Sequence, residues 1–241
     1  MERIWYELRV MRLWTLAVPV VIVAGMTLAT IAIRLFTAHG DHHTLAQLMT
    51  ATIEMLLPLG AAVVVASLTT SDQAMELRLT LPQPFALTAL LRAALVIAAS
   101  GAVAIVAGVF LYHWKFWRIP AQADYSGVAP QFLELQLTWL APLLVLAALG
   151  FALAALLRNG ALSGAVVGVV WLIESFAYGY FVVYAWLNPL FLFPTTLAPS
   201  VSFWLSSRLE LIALALVLFL LGWLPLRRGE SLIRSADAAS E

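Results

Sequence analysis

The sequence predicts an all-α, polytopic membrane protein. Apolar residues make up 63% of the chain and charged residues 11%, whereas a soluble domain has about 45–50% apolar and about 25% charged residues. Six apolar stretches come near the roughly twenty residues that cross a bilayer as a helix. Most of the arginines lie in alternate gaps between these stretches.

We expect each stretch to form one transmembrane helix. In chain order they are 13–33, 45–68, 93–112, 137–157, 161–186 and 211–226. The last is short, so residues 204–208 must help to complete its crossing. The second stretch carries Gln47 and Glu54, and the fifth carries Glu174. Because charge facing lipid is costly, we expect both helices to be buried in the bundle.

The distribution of basic residues predicts the topology. With a cytoplasmic amino terminus, nine of the thirteen Lys and Arg residues fall on the inner side; the four outer ones are Arg34, Lys115, Arg118 and Arg208. Six spans would then leave both termini inside. The net charge is zero and no basic tract occurs, so we expect no nucleic-acid partner. The chain has no cysteine, which excludes disulfides and thiolate chemistry.

We expect one transmembrane domain over residues 1–234 and a disordered tail over 235–241. Residues 1–12 have apolar side chains at helical spacing, which favours a helix lying in the inner interface. Its characteristic residues are Trp5, Arg9 and Arg12. A plain extension of the first span is the alternative.

Two further segments interrupt the pattern of plain spans. Gly160, Gly164 and Gly168 open the fifth span at four-residue spacing, which favours close helix packing, although chance spacing is the alternative. Residues 188–206 contain three prolines, so a continuous helix cannot run through them. We expect a re-entrant or surface-lying outer cap there, with an exposed loop as the alternative.

The inner connection between the second and third spans carries the functional hypothesis. Thr70 and Gln73 have capping-box spacing and Pro82 ends the run, which predicts a short cytoplasmic helix over 70–82. Its mixed charged and apolar surface suits docking onto another protein, and folding back on its own bundle is the alternative. The proposed contact residues are Asp72, Met75, Glu76, Leu77, Arg78, Leu81 and Pro82.

Four short motifs of the chain resemble a known family. The run 76–82 (ELRLTLP) followed by Leu90-Leu91-Arg92, the pairs Asn188-Pro189 and Ser207-Arg208, and the run 227–233 (RRGESLI) are similar to motifs of bacterial type-2 permeases of ATP-binding-cassette exporters. The resemblance implies a six-span half-transporter whose inner loop couples to a separate ATPase. The working unit would hold two permeases, identical or different, and two ATPases in the bacterial plasma membrane.

The chain has no Gly-x-x-x-x-Gly-Lys-Ser/Thr phosphate loop, and its only lysine is Lys115. We therefore expect no enzyme activity and no cofactor on this chain itself, with ATP and Mg²⁺ bound by the partner ATPase. The apolar, aromatic-rich spans favour an amphiphilic substrate. A secondary transporter, an accessory membrane anchor and an intramembrane enzyme are the alternatives.

Several polar residues within the spans are candidates for function. Glu174 and Glu54 are candidates for lining a substrate path, and Tyr178 and Tyr180 suit either an amphiphile or an interfacial aromatic belt. A structural hydrogen bond is the alternative for Glu174. For Glu54 we expect a charged pair with Arg34 that holds two helices together, and a proton relay is the alternative. The cluster His39, Asp41, His42 and His43 matches no rigid metal-ligand spacing, so we predict no metal site.

Overall fold

A computed structural model describes residues 13–36, 42–70, 85–120 and 128–238 of the protein. All regular secondary structure in these ranges is helical, which confirms the all-α prediction. The helices are α1 (Leu13–Phe36), α2 (His42–Thr70), α3 (Phe85–His113), α4 (Val128–Leu157), α5 (Gly160–Phe176), α6 (Tyr178–Val183), α7 (Pro194–Leu197) and α8 (Trp204–Ala238). A 3-10 turn, Asn188–Leu190, lies between α6 and α7.

Five of the described helices are long and apolar enough to cross a membrane, consistent with a multi-pass membrane protein. They are α1, α2, α3, α4 and α8. The helix α5 is also apolar but has only 17 residues.

The helices α2 and α4 form the centre of the bundle. Within their most apolar windows, 61% of the residues of α2 and 67% of those of α4 are buried, against 11% for α1 and 17% for α8. The two central helices approach closely, since a Cβ added at Gly150 would lie 2.6 Å from the carbonyl oxygen of Ala62. The peripheral helices turn apolar side chains outward, as helices facing lipid do.

The helix α2 contains one π-helical turn, Thr52–Leu56, in which the Leu57 N–H donates to the Thr52 carbonyl. The sequence gives a physical reason for this turn. Pro58 has no N–H for the carbonyl of Glu54 four residues earlier, and its ring crowds that carbonyl. The backbone widens there, and Glu54 lies within the widened turn.

Local backbone chemistry fixes two of the turns between helices. After α3, Lys115 adopts a left-handed conformation with φ 59°. The Phe116 N–H donates to the Leu111 carbonyl and the Lys115 N–H to the Tyr112 carbonyl, which is a Schellman ending. After α4, Arg158 is also left-handed, and the Asn159 side chain caps α5 by accepting from the Leu162 N–H at 3.0 Å.

The fifth predicted span does not form one continuous helix. The helix α5 ends at Phe176, and α6 begins after a bend at Ala177. Gly179, a poor helix former, follows the bend. The break lets Phe181 stack on Phe191 at 5.9 Å between ring centroids. The chain thus buries the Phe181 ring against Phe191 instead of continuing the predicted helix.

Two predicted segments lie outside the described residues. They are the interfacial helix over 1–12 and nearly all of the coupling helix over 70–82, of which only Thr70 is described, as the last residue of α2. At the carboxyl end, the backbone of α8 continues to Ala238, four residues into the tail for which the sequence predicts disorder.

The close approach of α2 and α4 predicts that Gly150→Ala destabilises the protein. The added methyl would overlap the backbone at Ala62, and overpacking typically costs about 1–3 kcal/mol. Gly168→Ala is the matched control, because nothing lies within 4 Å of a Cβ at Gly168 and alanine favours a helix. Thermal unfolding in detergent should show a lower Tm for Gly150→Ala only. Equal Tm values for the two variants would contradict this packing.

Candidate functional site

A fully buried ion pair lies between α2 and α8. Nη2 of Arg208 donates to Oε1 of Glu54, and both side chains are 0% exposed. The two residues are 154 positions apart in the chain. Removing either partner would leave a lone buried charge, which is far more costly than the pair itself. Each residue therefore requires the other in this fold.

The segment that follows α6 lies directly on this pair. We define residues 188–198 as the cap segment. Its residues 191–196 are buried, and α7 within it begins at Pro194, which has no N–H to satisfy. The next two N–H groups, of Thr195 and Thr196, donate to the Glu54 carboxylate at 3.1 and 2.6 Å. Glu54 thus caps a helix that is remote from it in sequence.

Arg208 contacts the same segment from the other side. Its Nη1 donates to the Leu192 carbonyl at 2.7 Å, and its Nη2 also reaches Oγ1 of Thr195 at 3.3 Å. The guanidinium lies 5.7 Å from the ring of Trp204, one turn earlier in α8. The Trp204 indole N–H donates to the same Thr195 hydroxyl at 2.8 Å. The hydroxyl of Thr195 is thereby shared between two donors of α8.

Two further side chains hold the ends of the cap segment. On the α5 side, the Leu192 N–H donates to Oε2 of Glu174 at 3.3 Å. From the loop after α3, Nη1 of Arg118 donates to the Thr196 carbonyl at 2.9 Å, and its backbone N–H donates to Oγ1 of Thr50 in α2 at 3.0 Å. Side chains from α2, the α3 loop, α5 and α8 therefore converge on one non-repetitive segment.

This arrangement is suited to holding irregular backbone inside an apolar bundle. Away from water, backbone N–H and C=O groups need protein partners. Glu54, Arg208, Glu174 and Arg118 supply them for Leu192, Thr195 and Thr196. In the parts of the chain that the structure describes, no group of three or more His, Cys, Asp or Glu residues is placed to hold a metal ion.

The structure assigns Glu54 a different partner from the one the sequence suggested. The predicted pair with Arg34 is wrong, because Glu54 pairs with Arg208 while Arg34 is exposed in the last turn of α1. The pairing follows from how the helices pack in three dimensions. Arg208, at the start of α8, faces into the bundle, where the cap segment excludes water from both charges.

Glu174 and the two candidate tyrosines lie in different environments. Glu174 is 5% exposed and contacts the cap segment. Tyr178 and Tyr180 lie on α6 and are 41% and 62% exposed, and Tyr180 stacks on Tyr184 at 6.1 Å. The structure therefore brings Glu174 to the Glu54 cluster and leaves the tyrosines on the surface of the bundle.

The three candidate packing glycines differ in their surroundings. At Gly160 a Cβ would lie 3.0 Å from the Ala66 carbonyl oxygen of α2, and at Gly164 it would lie 3.7 Å from Val63. At Gly168 nothing lies within 4 Å. Of the three glycines, Gly160 therefore lies closest to α2.

The remaining predicted residues are outside the described ranges. Seven residues of the proposed coupling surface and three of the interfacial helix fall there: Asp72, Met75, Glu76, Leu77, Arg78, Leu81, Pro82, Trp5, Arg9 and Arg12. These assignments stay predictions. Of the histidine cluster, His42 and His43 are described, and the ring of His42 stacks on Phe116 at 4.6 Å.

Sequence reasoning missed Arg208, Thr195 and Thr196 as members of the site. A usable signal existed for Arg208, because an arginine inside an apolar helix of crossing length requires a buried partner. The two threonines gave no comparable signal. Their contribution comes through backbone N–H groups, which every residue except proline has.

The comparisons with known proteins return nothing. No protein-family model matches this chain, and neither a curated protein nor a solved structure matches it.

Because the Glu54–Arg208 pair is buried, we expect substitution of Arg208 to lower the free energy of unfolding much more than substitution of Arg34. Arg208→Met leaves the Glu54 carboxylate buried without its cation and should lower the free energy of unfolding by about 3–5 kcal/mol. Arg34→Met, at an exposed position, should change it by no more than about 0.5 kcal/mol. Denaturation of the two purified variants in detergent measures the difference.

A double variant separates charge from packing at the same site. Glu54→Gln combined with Arg208→Met removes both charges, so it should be more stable than Arg208→Met alone. If the double variant is less stable than that single variant, or if Arg34→Met is the more damaging arginine change, Glu54 does not depend on Arg208 for its neutralisation.

Proposed function

We propose that this chain is the transmembrane permease subunit of an ATP-binding-cassette exporter in the bacterial plasma membrane. It would move an amphiphilic substrate, driven by ATP that a separate ATPase hydrolyses. Two copies of that ATPase, with ATP and Mg²⁺, and a second permease subunit complete the proposed unit. The residues that resemble the permease family, in 76–82, at 188–189 and in 227–233, motivate the assignment.

The observation that carries the proposal is the position of Thr70, the last described residue before the proposed coupling helix, relative to Arg158 and Arg227. Gly160 packs against Ala66 near the end of α2, so Thr70 and Arg158 lie at the same end of the bundle. Gly222 packs on Ala152, which brings Arg227 of α8 toward that end too. In the sequence, nine of the thirteen Lys and Arg residues fall in the segments predicted for that end, and such a bias marks the cytoplasmic side of most membrane proteins. This supports an inner location for the proposed coupling helix, where an ATPase would meet it.

The opposite end has the character of an outer surface. It holds the cap segment, Lys115 and Arg118, and the turn after α3, which the structure describes, is held there by contacts with α2 and the cap segment. We further propose that α5 is the sixth crossing. Its 17 residues span about 25 Å at 1.5 Å per residue, the short end of the usual range. Six crossings would leave both termini in the cytoplasm.

In this proposal, closure of the ATPase dimer pushes on Glu76 and Arg78, and the helices change their arrangement while the cap segment stays anchored. A rigid outer end and a movable inner end convert a push into tilting of helices. The large apolar surfaces of α1 and α8 suit contact with lipid and with the second permease.

Purification in mild detergent tests the partnership directly. The tagged chain should retain an ATPase that contains a Walker A motif, in equal molar amount, and the pair should hydrolyse ATP faster with substrate than without. If the chain transports with no nucleotide-hydrolysing partner, the proposal is wrong.

The coupling residues predict a selective loss of function. Substituting Glu76→Gln together with Arg78→Gln should reduce substrate-stimulated ATP turnover at least about tenfold, a loss in the range of typical coupling energies, while the permease still folds. Lys115→Asn is the control, because Lys115 lies at the other end and its left-handed φ of 59° suits asparagine. Unchanged stimulation in the double variant would refute the assignment.

A further inference from the structure

Two buried carboxyl groups flank the cap segment, and their surroundings differ. Glu54 is 0% exposed and receives hydrogen bonds from the Arg208 guanidinium and from two backbone N–H groups. Glu174 is 5% exposed and receives one long hydrogen bond, from the Leu192 N–H at 3.3 Å. Within the described residues, Glu174 contacts no basic side chain.

The groups around Glu174 are mainly aromatic and apolar. Trp171 lies one turn earlier on α5 and packs on Phe193 at 6.4 Å, while Phe181 stacks on Phe191. These two ring pairs involve the residues on both sides of Leu192, the residue that Glu174 contacts. An ionised carboxylate in such surroundings loses most of its hydration and gains one weak donor in return.

The charged groups on neighbouring elements do not compensate Glu174. The elements packed around α5 carry Glu54 on α2, Glu134 on α4 and, through the cap segment, Arg208 and Arg118. Arg208 is already neutralised by Glu54, and Arg118 donates to the Thr196 carbonyl. One long hydrogen bond does not offset the lost hydration, so the neutral form of Glu174 is favoured, whereas Glu54 forms an ion pair with Arg208.

We propose that Glu174 is a proton-binding site of the closed cap segment. The carboxylic acid keeps its proton while residues 188–198 are packed in place, with its carbonyl oxygen accepting from the Leu192 N–H. When the cap segment moves away, water reaches the group, and the proton passes to that water and leaves a carboxylate. Binding of one proton is thereby linked to the position of the segment.

This inference rests on contacts within the chain and not on the proposed ATPase partnership. It also separates the two buried acids, since Glu54 forms an ion pair with Arg208 whereas Glu174 contacts one backbone N–H.

Infrared spectroscopy of the purified chain in lipid nanodiscs tests the proton directly. At neutral pH the wild-type protein should show the C=O stretching band of a protonated carboxylic acid, sensitive to deuterium oxide. Glu174→Gln should lose this band and Glu174→Asp should shift it, whereas Glu134→Gln should retain it. A wild-type spectrum without the band, or a band that survives in Glu174→Gln, would overturn the proposal.

Stability gives a second readout that does not depend on assigning a band. Glutamine has the shape and the neutrality of a protonated glutamic acid, so Glu174→Gln should keep the Tm of the wild type at neutral pH. Glu54→Gln should lower it, because Arg208 then lacks its counter-ion. If Glu174→Gln fails to fold, or loses as much Tm as Glu54→Gln, then Glu174 is ionised in the native protein and the proposal is wrong.

Discussion

A charged side chain buried among apolar helices must be neutralised by another protein group, and the rest of this structure is arranged around that requirement. Glu54 and Arg208 neutralise each other between α2 and α8. Their remaining hydrogen-bonding capacity is used by the backbone of the cap segment. A buried pair of this kind is weak evidence for net stability. Here it fixes one position for a segment that has little regular structure of its own.

The cap segment illustrates how irregular backbone is tolerated inside a helical bundle. Its prolines prevent a long helix and remove two N–H groups that would need acceptors. The four-residue helix α7 has no side-chain cap of its own at Phe193. Glu54 supplies the cap from α2, and the widened turn before Pro58 carries this residue. The widened turn of α2 thus carries the carboxylate that accepts from the first N–H groups of α7.

Much of the fold could be predicted because hydropathy reports burial directly. The apolar stretches beginning near residues 13, 45, 93, 137 and 211 each lie largely within α1, α2, α3, α4 and α8. The prediction of one continuous helix over the fifth stretch was wrong, since the aromatic residues near Ala177, where α5 ends, are as apolar as those of a span. Hydropathy cannot distinguish rings that continue a helix from rings that fold back on Phe191.

The site was less predictable than the fold. Intramembrane Glu54 and Glu174 stand out in the sequence as polar residues within spans, and both border the cap segment in the structure. The partner of Glu54 was chosen by nearness along the chain, which favoured Arg34 over an arginine 154 positions away. Pairing of this kind is decided by which helix faces can meet, and a single sequence does not encode that in any local pattern.

Amide hydrogen exchange at Thr195 and Thr196, in the protein reconstituted in lipid, tests the central claim most directly. Both N–H groups lie in the first turn of α7, where no helical carbonyl is available to them, and Glu54 is the acceptor that holds them. The account predicts exchange as slow as that of amides in the centre of α4. Exchange as fast as in an open loop would show that the cap segment is not held on the Glu54–Arg208 pair.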